Sequence, residues 1–189
     1  MHPGQLFYHH LMPALKARGF GKGKKSGKHH KAPGRRTSST LSRKDWPLDI
    51  LREVFVKLAK DVPQDILPKE FHSSSLTANE WWSRVGRYSR SLGVSSMVGY
   101  IIGLGDRHLE NMLLHQSTGE LLHIDYNVCF DKGMTLRVPE RVPFRLTKVL
   151  RAGLGFVGLH GPFRTACDTS LAVLRRKRET LTTLLEAFV

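Results

Sequence analysis

Two cysteines in 189 residues, Cys129 and Cys167, are too few and too isolated for a disulfide framework, and their spacing matches no zinc-binding pattern. They read as reduced thiols of an intracellular protein, cytoplasmic or nuclear. Long apolar runs are missing as well. The longest, Met97 to Leu104, is broken by glycines and too short for a bilayer, and the N-terminus has no signal-peptide pattern. Neither secretion nor a membrane partner is expected. Acidic residues are absent from one stretch above all: residues 16 to 44 hold eleven of the 30 Lys and Arg and no Asp or Glu. The formal net charge of +14 is therefore local, and it does not mark the whole chain as a nucleic-acid binder. Within that stretch, residues 19 to 40 are also nearly devoid of apolar groups, so burial cannot offset their chain entropy. They are predicted to be a disordered basic insertion, suited to RNA contact, nuclear import or phosphorylation of its Ser and Thr, or simply a solvated surface loop.

What the chain does have is enough length and apolar content for one domain with a core, and a concentration of polar chemistry in GLGDRHLEN (103 to 111) and HIDYN (123 to 127). Asp106 and Asn111 stand five residues apart, the separation between the base and the metal-binding Asn of the protein-kinase catalytic loop, although the triplet runs Asp-Arg-His. Met112 to His115 and Glu120 to Ile124 read as two short apolar strands around the turn Gln116-Ser117-Thr118-Gly119. Centred on that turn, the hairpin is expected to set Asn111 opposite Asp125, with alpha carbons about 4.5–5.5 Å apart. The two could share a hard cation such as magnesium, which takes oxygen ligands and keeps some waters. Asp106 would remain free to accept a proton, and Gly103-Leu104-Gly105 supply backbone freedom where a helix stops. Alone, Asp-Arg-His could be a surface charge cluster and Asp-Tyr-Asn an ordinary turn; their joint occurrence favours the site.

Around this centre the pattern is helical. Gln5 to Arg18 predicts a short or kinked helix broken at Pro13. Asp45 is the expected N-cap of an amphipathic helix through Leu48, Leu51, Phe55, Leu58 and Val62, stopped by Pro63. Thr77 and Glu80 form a capping-box pair at the head of a long helix running toward Ile101. The adjacent Trp81 and Trp82 read as core and packing residues. Residues 128 to 144 lack periodicity, as a functional loop does, and helical patterning resumes at Leu146 to Val149, Phe163 to Leu174 and Glu179 to Val189.

GLGDRHLEN, HIDYNVCF and VPFRLT resemble the catalytic loop, metal-binding loop and activation-loop end of the phosphatidylinositol 3-kinase-related protein kinases. SRKDWP, NEWW, SMVGYIIGLGDRHLEN, LRVPERVPFRLT and RRKRETLTTLLEAFV are most similar to the branch that acts on the RNA helicase of nonsense-mediated mRNA decay. The resemblance implies an α+β fold, mainly α: the C-terminal lobe of a PI3/PI4-kinase-like catalytic domain, with a small hairpin carrying the metal site. It implies that Asp106 orients and deprotonates a substrate Ser or Thr, that His108 faces the transferred phosphate, and that Arg107 braces the loop through an ion pair. Asn111 and Asp125 would hold Mg²⁺ or Mn²⁺ bridging the phosphates of ATP. Residues 126 to 147, with Lys132, Arg137, Pro143, Phe144 and Arg145, would receive the peptide, in which Gln follows the target residue, and regulatory subunits of a large kinase complex are the implied partners. No glycine-rich phosphate loop or strand lysine precedes the first helix, and the family's C-terminal tail segment does not follow LLEAFV. The chain is therefore expected to be the second lobe of a larger kinase and not to turn over alone. Two other readings stand beside this one: a phosphoinositide kinase, with Lys132, Arg137, Arg141 and Arg145 facing a headgroup, and a non-catalytic RNA-binding or scaffolding module.

Overall fold

The computed structural model describes residues 3–18, 46–130, 132–136 and 140–187, the side chains of 3–8 excepted. The basic insertion 19–40, the N-cap expected at Asp45 and Arg137 lie outside this set. The chain divides into two units, Met1–Pro63 and Gln64–Val189.

The first unit pairs α1 (Pro3–Ala17) with α2 (Leu48–Asp61). Leu11 and Leu15 of α1 meet Ile50 and Val54 of α2, a small core that excludes water from one face of each helix. Arg18 bonds both Asp49 and Glu53 at one end of the pair. The break expected at Pro13 does not occur: α1 is one continuous 15-residue helix with the proline inside it.

The second unit holds α3 (Ile66–Ser73), α4 (Ala78–Ile101), α5 (Lys148–Ala152), α6 (Pro162–Arg176) and α7 (Arg178–Glu186), with a hairpin of β1 (Met112–Leu114) and β2 (Leu121–His123) packed against α4. Thr77 caps α4 by accepting from the Glu80 amide at 3.2 Å, and Glu80 accepts from the Leu76 amide at 2.9 Å. Phe71, Val85, Tyr88, Leu92, Leu121, Leu150, Leu154 and Phe163 form the core. Tyr88 is fully buried, its hydroxyl donates to the Leu150 carbonyl at 2.9 Å, and burial pushes its phenol above the ordinary value. Trp81 packs against this core as expected, whereas Trp82 is half exposed and meets Phe156 with ring centroids 5.7 Å apart. The helical patterning expected from Leu146 begins at Lys148, because Thr147 is the N-cap and accepts from the Leu150 amide at 3.4 Å.

The crossing of α4 and α6 is close at Gly93, where a Cβ would stand 2.8 Å from the Phe163 carbonyl oxygen. Beside this crossing runs an apolar trough of about 690 Å³, walled by Val94 and Val98 of α4 and Ala166, Thr169 and Val173 of α6. With Arg90, the α4 wall falls at every fourth residue, a stripe about 12 Å long at 1.5 Å per residue.

Candidate active site

Where α4 ends, Gly103 takes a left-handed φ of 58° and the chain turns under the hairpin. The Gly105 amide donates to the Val128 carbonyl and the Phe130 amide to the Ile102 carbonyl, both at 2.8 Å, so the segment before Asp106 runs along the segment after Asp125. Asp106 and Asp125 themselves have left-handed φ values of 55° and 57°. That region costs an L-residue about 1–2 kcal/mol, less for Asp than for most, and it persists only where neighbours enforce it.

Arg107 is the enforcing neighbour. Its guanidinium is buried and donates to four carbonyls: Gly105 at 2.9 Å, Asn111 at 3.2 Å, Ile124 at 2.6 Å, and Asp125. The expected loop brace is present, but it is made of hydrogen bonds to backbone oxygens and not of an ion pair. The planar fork suits this task because it offers five donors in fixed directions. Asn111 adds a second tie, its Nδ2 donating to the Asp106 carbonyl at 2.9 Å.

The register differs from expectation by one residue. Met112 pairs with His123, Leu113 with Leu122 and Leu114 with Leu121. The four-residue turn closes through the His115 amide on the Glu120 carbonyl at 2.8 Å, and an even-numbered loop makes Asn111 meet Ile124, whose amide donates to it at 3.1 Å. Asp125 therefore lies one position beyond the pair, and Arg107, bonded to the carbonyls of both Asn111 and Asp125, joins them instead of the ladder.

The acidic and basic side chains keep access to solvent. Asp106 is about half exposed, its Oδ2 stands 4.0 Å from His108 Nε2, and His108 Nδ1 stands 4.0 Å from Glu110 Oε2. Asp125 Oδ1 accepts from the Asn127 amide at 3.1 Å, a local turn that holds the carboxylate. With Nδ2 of Asn111 committed to Asp106, its Oδ1 and the Asp125 carboxylate are the oxygen donors, a set suited to a hard divalent cation that also uses waters and phosphates. Among the described residues no cluster of three or more His, Cys, Asp or Glu exists that would hold a metal by protein ligands alone. Beneath the site His123 is buried, neither ring nitrogen has a hydrogen-bond partner, and burial followed by the Arg107 charge pulls its pKa down to about 4.

The residues expected to receive a peptide do not act alike. Pro143 is exposed and lines a cleft of about 310 Å³ with Tyr100, Gly105, Met134, Glu140 and Val142, directly beside Asp106. Lys132 and Arg141 are exposed. Phe144 instead packs against the core and anchors the loop, and Arg145 is half-buried with a partnerless Nε. Sequence reasoning missed Glu140, whose two oxygens each lie 3.0 Å from the Asp106 amide. It also missed Leu113 and Ile124, exposed apolar groups next to the site's Asn111 and Asp125.

Residues 15–189 match the family described as phosphatidylinositol 3- and 4-kinase. The chain belongs to that family. It is 49% identical over 187 residues to the serine/threonine-protein kinase SMG1 of Danio rerio, covering 99% of this chain and 5% of the relative. Against Smg1 of Drosophila melanogaster the identity is 51% over 147 residues, 78% of this chain and 5% of the relative. Among solved structures, the FAT and kinase domain of CtTel1 matches with a TM-score of 0.63 and 38% identity, covering 65% of this chain and 9% of that one. The chain thus spans about a twentieth of the length of these SMG1 relatives. The mainly helical phosphatidylinositol-kinase-like fold with one small sheet is the fold the sequence implied.

Proposed function

We propose that this chain carries the phosphoryl-transfer half of a serine/threonine protein kinase. The observation that carries the reading is that buried Arg107 ties the loop of Asp106 and Asn111 to the backbone of Asp125. The segments that bear two carboxylates and a carboxamide are thereby tied together, in a chain whose relatives are named protein kinases. Asp106 accepts the proton of a substrate Ser or Thr hydroxyl as the hydroxyl attacks the terminal phosphorus of ATP. His108, beside Asp106, offers a donor to the oxygens on which charge spreads. Asn111 Oδ1 and the Asp125 carboxylate would hold the divalent cation, which neutralises phosphate charge when bound. Leu113 and Ile124 present an apolar surface next to these ligands that suits a nucleotide base.

On this reading the substrate is a protein, with Gln after the target residue, and specifically an RNA helicase of mRNA decay. Regulatory subunits of a larger kinase complex are partners, residues 19–40 add an RNA contact, and the setting is cytoplasmic or nuclear. Likeness to SMG1 kinases and the acid-free basic run support these assignments. The exposed Lys132 and Arg141 favour one competing reading, an inositol headgroup at the same cleft.

The test assays the full-length protein with magnesium and ATP on a Ser-Gln peptide and, in parallel, on phosphoinositide vesicles. Phosphate on the peptide, reduced by about 100-fold or more in Asp106→Asn and Asp125→Asn, is the expected result. Transfer to lipid alone would install the phosphoinositide reading, and transfer unaffected by either substitution would remove these residues from the chemistry. The 189-residue chain by itself is expected not to turn over.

A further inference from the structure

Glu140 lies 34 residues from Asp106, in the loop that follows the hairpin, yet both its carboxylate oxygens stand 3.0 Å from the Asp106 amide. The approach is tight on both sides. A Cβ on Gly105 would stand 2.5 Å from Glu140 Oε2, and one on Gly133 would stand 2.9 Å from the same oxygen. The two glycines also pass close to each other, a Gly105 Cβ reaching 3.2 Å from the Gly133 Cα. The Glu140 amide in turn donates to the Gly133 carbonyl at 3.1 Å, which seats the loop. A carboxylate thus occupies a slot that only glycine walls leave open, and it bonds the N–H of the one residue whose side chain must meet the hydroxyl.

We infer that Glu140 is a positioning residue for Asp106: its carboxylate holds the aspartate's peptide in the left-handed conformation, so that docking of the substrate loop and readiness of the base are one event. The inference rests on the kinase reading above. The physical basis is an acceptor placed at hydrogen-bond distance from the amide of a residue whose φ of 55° otherwise relaxes; charge strengthens the bond, but placement decides it. Because Glu140 also lines the cleft beside Asp106, the same residue borders the space a substrate enters. Its contact to the base runs through the backbone, so its loss displaces Asp106 without removing any ligand of the cation.

Two conservative variants in the full-length protein separate acceptor placement from charge. Glu140→Gln keeps an oxygen at the same distance but loses the charge; Glu140→Asp keeps the charge but withdraws it by one methylene, beyond hydrogen-bond reach. Steady-state kinetics on the Ser-Gln peptide should show Glu140→Asp lowered in kcat by roughly 10- to 100-fold. Its KM values for peptide and ATP should stay near those of the unaltered enzyme, and Glu140→Gln should retain at least about ten times the kcat of Glu140→Asp. Gly105→Ala, which drives a methyl into the same carboxylate, should reproduce the kcat defect. The reverse order, with Asp active and Gln impaired, would overturn positioning in favour of a charge role. A loss confined to peptide KM would make Glu140 a substrate contact. The three variants are compared at equal folded fraction, read by ATP affinity, which a positioning role leaves unchanged and a collapsed site does not. An unaltered enzyme with no peptide kinase activity would instead sink the parent reading, so the two failures are distinct.

Discussion

Arg107 and His123 share buried ground beneath the site and carry opposite fates. Four carbonyls replace the arginine's hydration, while the histidine has no hydrogen-bond partner, and burial followed by the arginine's charge lowers its pKa from 6.5 to about 4. The sign of the linkage follows. The unfolded chain takes up the proton first, so the stability this histidine supports is complete above pH 6.5 and is lost progressively as pH falls toward 4. The difference amounts to about 3 kcal/mol across that window. Urea midpoints measured from pH 7 to pH 4 are expected to fall, and His123→Phe is expected to flatten the slope; an unchanged slope would show that other groups govern acid sensitivity. At this scale the sequence offered as candidates the residues whose type the proposed chemistry dictates, Asp106, Asn111 and Asp125. It hid those defined by what they touch. Nothing in a string of letters shows that Arg107 would find carbonyls instead of a carboxylate, or that Glu140 would reach back 34 residues to one amide.

Helices with strong caps and long apolar stripes were legible, and α4 starts after Thr77 and runs to Ile101 as its capping pair predicted. Short elements were not. α3 went unseen because its eight residues include Pro68 and give too few turns for a stripe to repeat. The hairpin was found but its register was misjudged by one, since the count of turn residues fixes pairing and the apolar alternation of three-residue strands is too brief to arbitrate. The crossing of α4 and α6 offers a contrast within one helix. Gly93→Ala would set a methyl 2.8 Å from the Phe163 carbonyl and 3.0 Å from the Ala166 Cβ, costing about 1–3 kcal/mol as the helices part. Gly86→Ala meets only the Arg90 guanidinium, at 3.5 Å, and should gain about 0.5–1 kcal/mol from helix propensity. Chemical denaturation of the two variants tests the pair; equal effects would mean that the crossing is not the tight point.

Across the whole chain, the described residues keep two separate apolar cores, and no helix among them is long and apolar enough to cross a membrane. The long trough between α4 and α6 was invisible in sequence because its walls, Val94, Val98, Ala166 and Val173, mix with small polar residues and belong to helices 60 to 80 positions apart. Its size falls within the range of small-molecule pockets, roughly 300–1,000 Å³, and it lies apart from the carboxylates. An apolar fluorescent probe added to this chain is therefore expected to brighten there. Val94→Glu with Val173→Glu should remove the signal and Asp125→Asn should leave it intact; the opposite pattern would place the probe at the polar site. The trough also has a practical consequence for chemical discovery. Fragments tested on this chain are expected to collect there as well, between two helices and in contact with neither Asp106 nor Asp125, so a binding signal alone would not report on the aspartates; only its loss in variants of those two residues would.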